Sequence, residues 1–335
     1  MVNIDPTKFV YQRLVHFMQN FIFHGFMTFR RRSTVSSFIW TLWLRMPQKL
    51  RMFIYRCGIS VGKPTSSYKV TCLPFGLYAK VGIDSNVMEE LFGADLVSMN
   101  TSIHIPKKHT GTDSNIMEGL ATHFVSMNTS IPVPTILDIA KDHNGTLFLM
   151  TRVPGTPVSD IDGGLNVASP EQLSVFTNTM RDWFTQLQSL RPPGDGSICG
   201  LLGGDFWSYR ITFNYRVGPF ESQDIFHEKM FCTLPPDADS AIVVLAQSVR
   251  QRRYRMCFTH GDLSPNNILV DDQFRPVGLV DWHCAAWMPE YWDFTTAMWR
   301  RQRYLPWFNA FKSVFPQYED ELAIEMELWK TICPF

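Results

Sequence analysis

The sequence predicts an α+β protein of two lobes: a small N-lobe on an antiparallel sheet and a larger, mostly helical C-lobe, preceded by a helical extension. Three observations predict this. Residues 67–153 hold short β-rich runs parted by turn formers; from Ser169 onward apolar residues recur three and four apart; and Pro154-Gly155 stands between the two patterns as a hinge. A chain of 335 residues is long enough for two lobes that share a cleft. The expected division is an extension at 1–60, an N-lobe at 61–153 and a C-lobe at 154–335.

The extension carries nine basic side chains (Lys8, Arg13, Arg30, Arg31, Arg32, Arg45, Lys49, Arg51, Arg56) against Asp5 alone. Its aromatic residues, among them Phe23, Phe26, Phe29, Trp40 and Trp43, recur at helical intervals in places, which predicts amphipathic helices. Such a segment suits a membrane surface, or it packs its aromatic face on the neighbouring lobe with its arginines in water. The second is expected, because aromatic stripes at helical spacing are usually buried.

In the N-lobe, Ser67–Val81 (SYKVTCLPFGLYAKV) reads as a hairpin turning at Pro74-Phe75-Gly76, with Lys80 ending the second strand. Asp84–Pro106 (DSNVMEELFGADLVSMNTSIHIP) then recurs, one residue shorter, as Asp113–Pro134 (DSNIMEGLATHFVSMNTSIPVP). Two copies make no solenoid, so this is a tandem duplication of one helix and its exit turn. Thr135–Ala140 and Thr146–Val153 follow as two strands around Asp142-His143-Asn144-Gly145, a strong hairpin signal.

The C-lobe opens on Ser169-Pro170-Glu171-Gln172, a helix start with Ser as cap, Pro at the first position and Gln reaching back. Leu173, Phe176, Met180, Trp183, Leu187 and Leu190 make one buried face. Helices are also expected at Asp239–Arg252, from Pro289 toward Arg300, and at Glu319–Trp329. The last carries Asp320, Glu321, Glu325 and Glu327, read as a solvated acidic face.

Composition narrows the function. Thirty-one basic residues balance thirty-one acidic ones, which argues against nucleic acid as partner. Seven cysteines without a C-x-x-C pair suit free thiols in a reducing compartment. No signal pattern appears, and no apolar run approaches the ~18 residues a membrane span requires. The expectation is a soluble cytoplasmic protein with no transmembrane segment.

The chemistry concentrates in Thr259–His283 (THGDLSPNNILVDDQFRPVGLVDWH). His260, Asp262 and Asn267 stand in the order H-x-D-x-x-x-x-N, and Asp281 follows fourteen residues after Asn267. Met256-Cys257-Phe258 and Ile268-Leu269-Val270 read as strands, and Val277–Val280 runs back after a turn. Asn267 and Asp281 thus flank a hairpin and can lie side by side. This is the layout of a phosphoryl-transfer site: one carboxylate deprotonates the attacking hydroxyl, while an amide oxygen and a second carboxylate hold magnesium.

HGDLSPNNILVD followed by GLVDWHCAAWMPEYWD resembles the aminoglycoside phosphotransferase family, most closely its fungal members, which share the protein-kinase-like and choline-kinase-like fold. The resemblance implies Asp262 as catalytic base and Asn267 and Asp281 as magnesium ligands. LPFGLYAK matches the same relatives and implies that Lys80 contacts the nucleotide α/β-phosphates, paired with a helix Glu. Glu89 and Glu90 lie at about the usual distance from Lys80, whereas Glu118 leads directly into Ser130-Ile131-Pro132-Val133-Pro134; Glu118 is the expected partner, with Glu90 in support. Thr151, Arg152 and Val153, at the hinge, are candidates to meet the adenine ring. His260 is expected to position backbone. His283 departs from the family, where many members carry an acidic residue, and no long Gly-rich phosphate loop is present.

The implied function is an ATP- and Mg²⁺-dependent phosphotransferase acting on a hydroxyl of a small molecule. The alternative is a catalytically impaired pseudokinase or nucleotide-binding module, suggested by the duplicated helix, the missing Gly loop and His283. A two-metal hydrolase built on His260, Asp262, Asp281 and His283 would leave Lys80 idle. Only seven residues separate Asp281 from Pro289, too few for a substrate-peptide platform.

Overall fold

Pro47 leads into helix α1 (Gln48–Val61), which buries Met52, Ile54, Tyr55 and Gly58. The structure, a computed structural model, describes residues 40–65, 69–73, 76–82, 114–142, 145–192, 196–211, 216–299 and 304–331. Trp40 donates through Nε1 to the Leu137 carbonyl at 3.2 Å and Trp43 to the Tyr55 hydroxyl at 2.7 Å. Arg51 and the Tyr55 hydroxyl both bond the Asp138 carboxylate. The described part of the extension therefore packs aromatic side chains on the N-lobe; residues 1–39 lie outside the described residues.

Strands β1 (Lys63–Pro64), β2 (Val70–Leu73) and β3 (Leu77–Gly82) precede helix α2 (Ser114–Asn128), and β4 (Ile136–Asp142) and β5 (Gly145–Thr151) follow it. They form one antiparallel sheet in the order β1-β2-β3-β5-β4. Lys80 stands inside β3 opposite Phe148, two residues before the strand ends. Met52, Tyr55, Leu77, Ala79, Leu137 and Leu149 make a small core between α1 and the sheet. Helix α2 is the second copy of the duplicated segment. The first copy, with Glu89 and Glu90, lies outside the described residues.

At Gly155 the backbone takes φ +134°, and an added Cβ would meet Val277 Cγ2 at 2.6 Å. The chain then enters β6 (Thr156–Pro157) and helix α3 (Pro170–Ser189). Ser169 caps α3 with the reciprocal Gln172 bond. Next come β7 (Cys199–Gly200), β8 (Phe206–Trp207), β9 (Arg216–Val217), helix α4 (Gln223–Phe231) and helix α5 (Ser240–Gln251), capped by Asp239. Strands β10 (Met256–Thr259), β11 (Ile268–Val270), β12 (Pro276–Leu279) and β13 (Ala286–Pro289) carry the motif region, and helices α6 (Trp292–Met298), α7 (Leu305–Val314) and α8 (Glu319–Leu328) complete the helical part.

One large core runs from α2 through α3 to α8. Phe124 of α2 meets Phe258 edge-on at 5.0 Å and Trp287 at 6.0 Å, and Gly119 lies against Ile139 of β4, so α2 packs between the N-lobe sheet and the β10-β13 strands. Among the described residues no helix is long and apolar enough to cross a membrane.

Two expectations are corrected here. Pro289 does not start a helix; it ends β13, the middle strand of the sheet β10-β13-β7, and α6 begins at Trp292. All four β13 residues are buried, so no apolar–polar alternation marks it as a strand. The acidic stretch of α8 is not all solvated either. Glu321 and Glu325 are each 3% exposed and bond Arg252 and Arg210. Arg210 also lies over the Trp292 ring at 3.8 Å, making this a buried structural pair.

Candidate active site

The turn after β10 is shaped by its neighbours. Gly261 takes φ +76°, and a side chain there would run into the Cys284 carbonyl, so only glycine fits. Asp293, in the first turn of α6, accepts from the backbone N–H of His260 at 3.0 Å and of Gly261 at 2.9 Å. Burial pushes the Asp293 carboxyl up to about 6, held from rising further by those two N–H bonds and by Arg210.

His260 is fully buried against Trp282, ring centroids 4.7 Å apart. Its Nε2–H donates to the Val280 carbonyl at 2.9 Å, and its Nδ1 accepts from the Asp262 N–H at 3.3 Å. Burial lowers the imidazole to about 4, so it is neutral at pH 7 and holds backbone.

Asn267 ends the loop. Its Nδ2 donates to the Asp262 carbonyl at 2.7 Å and to Asp262 Oδ2 at 3.2 Å, which turns the oxygen end of the amide away from Asp262. Its backbone carbonyl accepts from the Val280 N–H at 3.0 Å. That bond closes the β11–β12 hairpin and sets Asp281 beside Asn267, as the spacing predicts. Asp281 takes a left-handed backbone at φ +67°, an uncommon conformation that costs about 1–3 kcal/mol in most residues but less in aspartate.

From the other lobe, Lys80 Nζ reaches Glu118 Oε1 at 2.8 Å and Asp281 Oδ1 at 2.7 Å. Lys80 and Glu118 are buried, while the Asp281 side chain is 37% exposed. Burial alone would lower the Lys80 ammonium, but the two carboxylates outweigh it and hold it above the ordinary lysine range. For Asp281 burial acts upward, and Lys80 first, then His283 and His260, hold the carboxyl below its ordinary range. His283 sits with Nδ1 3.8 Å from Glu118 Oε2 and its ring 4.8 Å from Trp207. Lys80 and the His283 ring thus both approach Glu118.

These groups line a cleft of about 730 Å³ between sheet and helical part. Lys80, Glu118, Thr151, Arg152, Val153, Asp262, Asn267 and Asp281 all face it, and His260 supports it from beneath. The N–H groups of Thr151 and Arg152 are taken by the Thr135 and Gly76 carbonyls at 3.0 and 3.1 Å.

The sequence signature of the Phosphotransferase enzyme family (APH) matches residues 116–318. The chain belongs to this family. The matched span begins in α2 and takes in Glu118 and the whole His260–Asp281 loop of the phosphotransferase. No curated protein matches the chain in sequence. Similar solved structures include the aminoglycoside phosphotransferase APH(3'')-Id from Streptomyces rimosus in complex with ADP and streptomycin, at 17% identity over 83% of this chain and 95% of that one, TM-score 0.47. The choline kinase LicA from Streptococcus pneumoniae is similar at 13% identity, covering 81% of each chain, TM-score 0.43.

Other cleft residues of this phosphotransferase went unread in the sequence. Tyr78 lines the cleft two residues before Lys80, on the same strand face, and strand alternation would have found it. Tyr209, Thr296 and Trp299 reach the cleft from distant segments, with no local signal to mark them.

Proposed function

We propose that this chain transfers the terminal phosphoryl group of ATP to a hydroxyl group of a small molecule, with Mg²⁺ bound in the cleft. The observation that carries this reading is Lys80 Nζ, held between Glu118 at 2.8 Å and Asp281 at 2.7 Å, with Asn267 locked to Asp262 alongside.

The donor set suits magnesium. The ion takes hard oxygens, typically one or two carboxylates with substrate phosphates completing its shell. Asp281 supplies a carboxylate, and Asn267 offers its amide oxygen because its NH₂ is committed to Asp262. Asp281 and Asn267 would hold the ion, with the rest of its oxygen ligands coming from phosphate and water. When bound, the ion neutralises charge on the phosphates.

The chain's own residues do the rest. Lys80, fixed by Glu118, grips the α/β-phosphates, and Val153, next to the two hinge residues with occupied N–H groups, meets the adenine ring. Asp262 takes the proton from the acceptor hydroxyl as its oxygen bonds phosphorus and the P–O bond to ADP breaks. The Asp262 carboxylate is aimed by the Asn267 amide, and its backbone by His260.

Calorimetric titration of the full chain with ATP, with and without Mg²⁺, tests the reading. Binding that requires or tightens with Mg²⁺, and weakens in Asp281→Asn, is expected. A chain that binds no ATP in either condition overturns it. ATP binding without transfer to any hydroxyl compound would favour the nucleotide-binding module instead.

A further inference from the structure

Helix α1 buries Met52, Ile54, Tyr55 and Gly58, and its exposed residues include Leu50, Phe53 and Val61 beside Gln48, Lys49 and Ser60. Leu50, Phe53, Cys57 and Val61 follow at intervals of three and four, one stripe along the helix. Phe53 is 58% exposed, Leu50 46% and Val61 42%, and Leu42 just ahead of the helix is 41% exposed. An exposed phenylalanine in a continuous apolar stripe marks a binding surface more than chance exposure does.

The charge around the stripe selects its occupant. Residues 40–65 hold Arg45, Lys49, Arg51, Arg56 and Lys63 and no acidic residue. Arg51 is turned inward onto Asp138, but Arg45 ahead of the helix, Lys49 in its first turn and Lys63 just after it are exposed. A uniformly basic rim repels a second copy of itself and attracts a negatively charged partner. The stripe lies along one helix. An apolar strip about 20 Å long with basic flanks is what lies flat in the headgroup region of an anionic bilayer.

We propose that the outer face of α1 docks the protein on anionic lipid surfaces, with Phe53 and Leu50 inserted among the acyl chains and Arg45, Lys49 and Lys63 on the headgroups. The inner aromatic face, Trp43 on Tyr55 and Tyr55 on Asp138, fastens the helix to the sheet and so ties the enzyme body to the membrane.

Flotation of the full chain with phosphatidylserine-containing and with pure phosphatidylcholine vesicles tests this. The expected result is binding to the anionic vesicles only, released by high salt. Phe53→Glu and, separately, Lys49→Glu with Lys63→Glu should each weaken binding at least about tenfold. Both variants change exposed side chains and should keep the wild-type melting temperature. No binding by the full chain, equal binding to both vesicles, or wild-type binding by either variant overturns the proposal. So does sedimentation showing a wild-type dimer that Phe53→Glu converts to monomer, which would make the stripe a self-interface.

Discussion

Gly119 and Ile139 touch so closely that a Cβ built on Gly119 would stand 2.8 Å from Ile139 Cδ1. Gly119 follows Glu118, the glutamate that pairs with Lys80 at 2.8 Å. Aligning the copies puts Glu90 of the first where the second has Gly119, and the first copy is one residue longer. In the second copy Glu118 and Val125 are both buried, with Gly119 against β4. Gly119→Glu should therefore destabilise the fold by about 3 kcal/mol, through a buried unpaired carboxylate. Gly119→Ala should be close to neutral, since the flexible end of Ile139 gives way and alanine favours the helix by about 1 kcal/mol. Denaturant unfolding of both variants checks this; equal stability of the two would contradict the packing.

Lys80 and Glu118 form a buried pair, and breaking one side leaves the other charge uncompensated. Lys80→Met should cost about 3–5 kcal/mol of stability. Combining it with Glu118→Leu should recover part of that loss, because the buried Glu118 charge goes too while the partly exposed Asp281 stays unpaired. Urea midpoints for both single variants and the double variant measure the coupling. Additive losses would mean that the two side chains act independently.

Asp293 serves the loop rather than the reaction. In Asp293→Asn an NH₂ faces one of the two backbone N–H donors, leaving a buried donor unsatisfied at about 1–3 kcal/mol. The expected outcome is a lower melting temperature and a fall in kcat of about tenfold, with ATP affinity nearly unchanged. A variant with wild-type kcat would show that the grip on His260 and Gly261 is dispensable.

Stability should fall with acid. Burial lowers both His260 and His227 to about 4, from 6.5 in the unfolded chain. Between pH 6.5 and 4 the unfolded state thus binds more protons, and stability is lost as pH falls, by roughly 3 kcal/mol for each histidine. Asp293, raised to about 6, has the opposite sign between its unfolded value of 3.8 and 6 and offsets about one histidine. Burial also raises the Glu325 carboxyl, so the net expectation is a loss smaller than the two histidines alone would give between pH 6.5 and 4, read from denaturation curves across that range. A flat profile would contradict neutral buried imidazoles.

What the sequence made legible is what local geometry decides. Asn267 and Asp281 could be paired in advance because a short hairpin separates them, and the Ser169–Gln172 cap and the Asp239 cap are written within one turn. Lys80 was legible as a residue, but its partner only as a choice among Glu89, Glu90 and Glu118. Ile139 enters that choice through tertiary packing, which spacing does not encode. The same limit hid Glu321 and Glu325, whose partners Arg252 and Arg210 lie 69 and 115 residues away. It hid Tyr209 and Trp299 in the cleft too. Strand β13 was missed because an all-buried four-residue run has no period to read.

The most direct measurement is ADP release by the full chain with ATP and Mg²⁺ over a panel of small hydroxyl compounds, wild type against Asp262→Asn. The wild type should phosphorylate at least one compound. Asp262→Asn should lose about 10²–10⁴-fold in rate while binding ATP with unchanged affinity. A variant that transfers phosphate as fast as the wild type would contradict Asp262 as the base and with it the proposed site.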